Sequence, residues 1–323
     1  MNFSKCDKSG ALEGFAVVRQ CDRKTAKNGS VYLDMLLSDL SGEIVAKLWD
    51  FKEDIQPLPA INSLVKVRGT LSQFNGNDQL SVSRIRPVAE SDGVKIEDYV
   101  KSADYDADFM FLQLMSVAED FRDSDLRSLV TTMLENNRER LLTFPAAYKL
   151  HHAMRGGLLY HTLSIVRLAK PIAQVYPFID SDLLLSGVIL HDLAKTVEFN
   201  VNDTGLADSY TTDGELIGHI VRGAMFVEET GKQLGIPDET RRLVEHMLLS
   251  HHGVPEYGAA VYPMFPEAEI LSQLDMLDAR IYEMADALSN VEPLSFSTRQ
   301  KMLDNRKLYN HGRKEIAPKA KLD

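Results

Sequence analysis

Nine histidines occur in the 323 residues, and five of them stand in an order that suits a metal site: His161, His191, His219, His251 and His252. Asp192 follows His191 directly and Asp275 lies further on. Each of these stands in or at the end of a segment whose apolar spacing predicts a helix. Imidazole nitrogen and carboxylate oxygen are the ligands that divalent transition ions take. A buried His-Asp doublet is costly to desolvate unless something compensates it, and a metal would. Gly253 after His251-His252 is a natural C′ helix cap, which sets both imidazoles in the last helical turn. A lone histidine is more often a surface or satisfied core residue, but an ordered set of five with two aspartates is not. His246 lies about 140° from His251 on a helix and faces elsewhere. His151 and His152 precede the first motif helix as outer or surface residues, and His311 in the tail takes no role.

Competing chemistries find no support. The two cysteines, Cys6 and Cys21, lie outside the histidine set, so a disulfide scaffold, a cysteine-built zinc site and a Cys-His nucleophile are excluded. There is no Ser-His-Asp arrangement, P-loop, GxGxxG turn or CxxC. What fits is phosphodiester hydrolysis. It needs an activated water and charge on the non-bridging oxygens, and two metals about 3.5–4 Å apart supply both. Arg222, three residues after His219, shares its helical face. Arg155 and Arg167 flank His161. Any of the three could hold the phosphate next to the scissile one, and an ordinary ion pair is the alternative for each.

The elements that must carry these residues change character along the chain. Residues 11–88 contain five β-rich runs, GFAVVR, VYLDMLL, EIVAKLW, LVKVRGTL and QLSVSRIRPV, punctuated by Asn28-Gly29, Ser41-Gly42 and Asn75-Gly76. Five short strands with one longer excursion in about 80 residues predict a small antiparallel barrel of the oligonucleotide/oligosaccharide-binding (OB) type. Residues 1–90 hold 12 Lys and Arg against 11 Asp and Glu, whereas the whole chain carries −11, so the remainder is strongly acidic. The barrel holds Phe15, Tyr32, Trp49, Phe51 and Phe74 among its cations, and stacking platforms beside a cationic track hold single strands. The nucleic-acid candidates are Arg19, Lys24, Lys47, Trp49, Arg68, Phe74 and Arg84, with at least two of the five aromatics expected in the core. An acidic linker is expected over 91–108, a helical domain over 109–310 with a small hairpin at 199–210, and a polar, frayed tail over 311–323. Among the helices, one runs from Gly157 and stops at Pro171, and another covers 213–234.

The order H…HD…H…HH…D, with HDLAK at 191–195, resembles the HD superfamily of metal-dependent phosphohydrolases over about 145–290. With an OB-like barrel in front, the chain resembles the YhaM family of 3′–5′ exoribonucleases. The stretches that carry this are NGSVYLDMLLSDLSGEIVAKLWD (28–50), HHAMRGGLLYHT (151–162), GELIGHI (214–220), LLSHHG (248–253) and LSQLDMLDARIYEM (271–284). The resemblance implies a first metal on His161, His191, Asp192 and Asp275. Asp192 would bridge to a second, completed by His219, His251 and His252. It gives Lys195 the lysine position of the HDxxK variant, with a solvated helix-end lysine as the alternative. Asp192, Lys195 and Arg222 are the expected catalytic residues. The implied cofactor is a pair of divalent ions, manganese first, with iron, cobalt, magnesium or zinc as alternatives.

The resulting expectation is a metal-dependent 3′–5′ exoribonuclease that degrades single-stranded RNA to nucleoside 5′-monophosphates, direction and product being implied by the resemblance. Single-stranded DNA is allowed as a substrate because nothing in the sequence reads the 2′-OH. The alternatives are a phosphohydrolase of a small nucleotide with the barrel as a regulatory or oligomerisation module, and a binding protein with a degenerate HD fold. Intact ligands argue against the latter, and the barrel argues against the former. The start lacks an apolar signal segment, and LLLSGVIL at 183–190 is far short of the roughly 20 residues a membrane span needs. A cytoplasmic protein without membrane contact is expected, with self-assembly into a homo-oligomer left open.

Overall fold

The computed structural model describes residues 11–55, 57–74, 76–148, 152–202 and 204–322. The expectations for Cys6, Asn75 and His151, and for the side chain of Phe74, lie outside the described residues. The chain divides into two compact units, one holding residues up to Ser102 with Val201–Asp208, the other holding the rest.

In the first unit β1 (Ala11–Thr25), β2 (Val31–Asp39), β3 (Gly42–Leu48), β4 (Leu64–Phe74) and β5 (Asn77–Pro87) close a barrel in the order β1-β2-β3-β5-β4. Period-2 alternation sets its two faces. Leu33, Met35 and Leu37 of β2 point into the core with Ala46 and Leu48 of β3, Val67 and Leu71 of β4, and Leu80 and Val82 of β5. Strand β1 is longer than its sequence pattern suggested. A register shift between Val18 and Gln20 bends it, so its first half pairs with β4 and its second with β2. The barrel is antiparallel except where β3 meets β5, which is parallel. The expected acidic linker is different in kind over its first half. Val94, Ile96, Tyr99 and Val100 pack with Phe15, Val17 and Leu64 on the barrel wall, together with Leu206. Arg86 clasps both oxygens of Asp92 at 2.8 and 2.7 Å, which pins the chain there.

The second unit is helical. It comprises α1 (Ala107–Glu119), α2 (Ser124–Asn136), α3 (Arg138–Leu141), α4 (Gly157–Val175), α5 (Ser181–Leu190) and α6 (Lys195–Glu198). After the hairpin strands β6 (Phe199–Val201) and β7 (Ala207–Tyr210) come α7 (Thr212–Leu216), α8 (Gly218–Leu234), α9 (Asp238–Ser250) and α10 (Pro266–Leu288), then a two-residue pair β8 (Ser295–Phe296) and β9 (Tyr309–Asn310). Asp106, Asp123 and Asp180 cap α1, α2 and α5 by accepting backbone N–H bonds. The apolar run of α5 is buried on every side and touches α2, α4, α9 and α10, so the His191-Asp192 pair that follows it starts from the middle of the domain.

Three expectations for this unit fail. Helix α4 does not stop at Pro171 but runs four residues past it. Pro171 and Arg167 both lie on the exposed face, where water can satisfy the freed carbonyl. The expected 213–234 helix breaks at Gly218, whose φ of +73° lies in the left-handed region that favours glycine. The tail is docked rather than frayed. Leu322 is fully buried, its N–H reaches the Tyr105 hydroxyl at 3.1 Å, and Arg167 donates to its carbonyl at 2.7 Å.

Candidate metal centre and strand-binding face

A helix leaves its last carbonyls without intrahelical partners, and two of the histidines use this. His191 caps α5 and donates Nδ1–H to the Val188 carbonyl at 2.8 Å; His251 caps α9 and donates to the Leu248 carbonyl at 2.7 Å. His252 donates in the same way to the Tyr257 carbonyl at 2.9 Å, beyond the tight turn at Gly253, whose φ is +79°. His219 opens α8 just past the break at Gly218. Its backbone N–H and its Nδ1 both bond Oε1 of Glu198, at 3.0 and 2.9 Å. With Nδ1 occupied in each ring, the lone pair is left on Nε2.

These atoms converge. Oδ1 of Asp192 lies 3.5 Å from His219 Nε2 and 3.7 Å from His251 Nε2. Its Oδ2 lies 3.4 Å from His191 Nε2 and 3.8 Å from His161 Nε2. His161 Nε2 in turn lies 3.1 Å from Asp275 Oδ1. All seven residues expected as ligands therefore meet at one place, with Asp192 dividing them into two sets. His219, His251 and His252 offer ligand atoms within 4.8 Å of one another, as do His161, His191 and Asp192. Nε2 of His191, His219 and His251 and Oδ1 of Asp192 are buried without a hydrogen-bond partner among the described residues. Four orphaned buried atoms of ligand type, aimed at each other, fit cations and are costly without them.

The electrostatics agree with that fit. Burial disfavours the charge on Asp192, but Lys195 and His191 outweigh it and hold the carboxyl well below its usual range. Lys195 Nζ donates to Asp192 Oδ2 at 2.7 Å and is held above the usual lysine value by the same partner despite its burial. Burial, then the neighbouring imidazoles, push His251 and His252 down, so both stay neutral ligands. His161 departs from this pattern: burial would lower it, yet its bonds to Asp275 and Asp278 raise it to about 10, so a cation at Nε2 has to displace the proton that Asp275 holds there.

Of the expected catalytic residues, Asp192 and Lys195 are at this site. Arg222 is paired with Asp213 and is absent from the lining of the cavity that opens onto the ligands. Arg167 is bound to Gln113 and the tail. The cavity, of ≈ 730 Å³, is lined by Lys195, His219, His251, His252 and Asp275 together with Tyr148, Phe199, Tyr210, Arg280 and Lys301. Sequence reasoning missed Asp278 and Glu198. Asp278 stands one turn after Asp275 on the same face of α10, a spacing that could have flagged it; Glu198 carried no comparable signal.

On the barrel, Tyr32 and Trp49 pack against each other on the outer face with ring centroids 4.7 Å apart and planes tilted by 32°, and Lys47 Nζ stands 5.5 Å from the first ring and 5.6 Å from the second. Trp49 is 45% exposed. The other cations are dispersed. Lys24 pairs with Asp34 at 2.6 Å, and Arg19 donates to Asn62 at 2.9 Å. Arg68 lies 3.9 Å from Glu13. Arg84 faces Arg68 across β4 and β5, a different pair of strands. Phe51 is the one barrel aromatic buried in the core among the described residues; Phe15 is half-buried against Tyr99.

The family model for the HD domain matches residues 158–280, and the TraI_2 model matches 110–182. A protein of Halalkalibacterium halodurans named 3′-5′ exoribonuclease YhaM is 36% identical over 93% of this chain and 92% of its own length. Proteins of the same name from Bacillus pumilus and Listeria welshimeri are also 36% identical, over 91% and 93% of this chain and 92% and 95% of theirs. Among solved structures, a replication protein A heterotrimer bound to ssDNA aligns with 26% of this chain and 62% of its own, at 26% identity and a TM-score of 0.22.

Proposed function

This chain belongs to the YhaM family of 3′–5′ exoribonucleases, and from that premise we propose that it removes nucleoside 5′-monophosphates from the 3′ end of single-stranded RNA at the centre divided by Asp192. The observation that carries this reading is the arrangement of Asp192, with one oxygen towards His161 and His191 and the other towards His219 and His251. His161, His191, Asp192 and Asp275 would hold one divalent ion, and Asp192 with His219, His251 and His252 a second, manganese being the expected metal. Such ions would supply Lewis-acid charge to the phosphate and an activated water at neutral pH.

The chain's own residues do the rest. Lys195 keeps Asp192 ionised and fixes its orientation. Glu198, Val188, Leu248 and Tyr257 fix the histidine tautomers, which sets each Nε2 lone pair towards the centre. Lys301, which has no ion-pair partner among the described residues, stands in the cavity lining where it can meet a phosphate next to the scissile one. Tyr32, Lys47 and Trp49 form the platform for the strand, consistent with how such barrels hold bases. Single-stranded DNA would bind the same platform. The place of action is the cytoplasm. The test is a gel of single-stranded RNA labelled at its 5′ end, with divalent ion and with chelator, beside a panel of free nucleotides. A ladder shortening from the 3′ end, abolished by chelator, is expected. Hydrolysis of the free nucleotides alone would overturn the reading.

A further inference from the structure

The cavity is far larger than a phosphate group needs, and part of its lining is aromatic. Tyr148 and Tyr210 lie with ring centroids 5.7 Å apart at 52°, and Phe199 backs Tyr210 edge-on at 5.2 Å and 65°. Phe199 is buried, whereas Tyr210 is 40% exposed. This cluster is fastened to the metal centre. Phe199 follows Glu198, which holds His219, and Thr211, next to Tyr210, donates its N–H to the Glu198 carbonyl at 2.9 Å. A phosphodiester at the ligands therefore brings its nucleoside into the same space as a partly open tyrosine ring that is braced from behind.

Resting on the function proposed above, we infer that Tyr210, with Tyr148, is the stacking subsite for the base of the nucleotide being removed. Every base has a π-face, so such a platform accepts all four, as an exonuclease that advances along a strand requires. The terminal nucleoside has no chain beyond it. It alone can fill a cavity while the rest of the strand leaves through the mouth. Its base then orients the bond at the metal centre through contacts remote from the reacting atoms. The tyrosines are positioning residues and take no proton.

The test uses the full chain and two RNA oligonucleotides that differ only at the 3′-terminal residue, one ordinary and one abasic. Removal of the first residue is followed at saturating and limiting substrate. The wild type should show a KM for the abasic end raised roughly ten- to a hundredfold, the weight of one stacked base. In Tyr210→Ala the two substrates should differ by less than about threefold, because the ring that told them apart is gone. Tyr210→Phe should restore the difference, which assigns it to the ring and not to the hydroxyl, while an unchanged KM for the abasic end in Tyr210→Ala separates lost stacking from a disturbed hairpin. Tyr148→Ala should show a smaller loss of discrimination. Equal KM values for both ends in the wild type, or an undiminished difference in Tyr210→Ala, would overturn the proposal. A wild type that cleaves neither oligonucleotide would overturn the underlying exonuclease reading, and the subsite with it.

Discussion

Oδ2 of Asp278 lies 2.8 Å from Nδ1 of His161, on the side of the ring away from the metal centre. The same carboxylate takes a bond from His152 Nε2 at 2.9 Å and one from the Ser164 hydroxyl. Hydrogen bonds from His152 and His161 keep it ionised well below the usual carboxylate range, against the effect of burial. His161 is thus oriented by a buried anion that lies outside the cavity lining.

Asp278→Ala should therefore weaken divalent-ion binding about 10- to 100-fold, as loss of an outer carboxylate does at other histidine sites. Calorimetric titration of manganese into chelator-treated protein measures it. The melting temperature should fall too, because the Ser164 hydroxyl and the His152 ring lose a buried partner. Wild-type affinity in Asp278→Ala would show that His161 needs no such support.

Asp192 is the residue shared by both ligand sets, so Asp192→Asn should abolish activity and lower the bound metal on both sides. A neutral amide cannot balance two cations. His251→Ala touches one set only and should reduce metal content from about two ions per chain towards one. Elemental analysis of protein purified without chelator reads both. Near wild-type turnover in Asp192→Asn would contradict the assignment.

Glu245 offers a pH test remote from the ligands. Burial, then the nearby Glu228, raise its carboxyl pKa, and one of its oxygens is buried without a partner among the described residues. A carboxyl raised in the folded state weakens the fold as pH climbs above its unfolded value of about 4.3. Below that value both states are protonated and nothing is lost. Glu245→Gln should accordingly raise the melting temperature at pH 7 and leave it unchanged at pH 4. Calorimetric melts at both values check this, and a gain confined to pH 4 would reverse the sign.

Trp49→Ala should weaken binding of single-stranded RNA by about 1–3 kcal/mol while leaving hydrolysis of a dinucleotide unchanged. Lys47→Ala should reduce the slope of log affinity against log salt by about 0.7, the share of one phosphate contact on a single strand. Fluorescence anisotropy over a salt series separates the two effects.

Where one kind of interaction dominates, these features were legible in the sequence. The barrel strands follow alternation, and the turn dipeptides mark their ends. The ligands are legible because each stands in or at the end of an apolar helical segment, and because their order resembles the HD superfamily, which implied that they share one centre. What escaped depends on a partner distant in sequence. Tyr148 and Tyr210 meet across 62 positions, and Asp278 serves His161 across 117. Arg222 reads as a phosphate ligand by its place after His219, until Asp213 takes it. Pro171 reads as a stop, because only the packed structure shows that its carbonyl partner faces water. The tail reads as frayed because one leucine among polar residues carries no periodicity.

That docked tail has a bearing on the order in which the molecule is made. The Tyr160 hydroxyl, beside His161 in α4, bonds Ala320 across 160 positions of sequence. At 5–20 residues per second, the ribosome needs roughly 8–30 seconds to span that interval. Throughout it, α4 is exposed to the cell without the segment that finally covers it. The barrel strands are complete within the first 87 residues and can close long before.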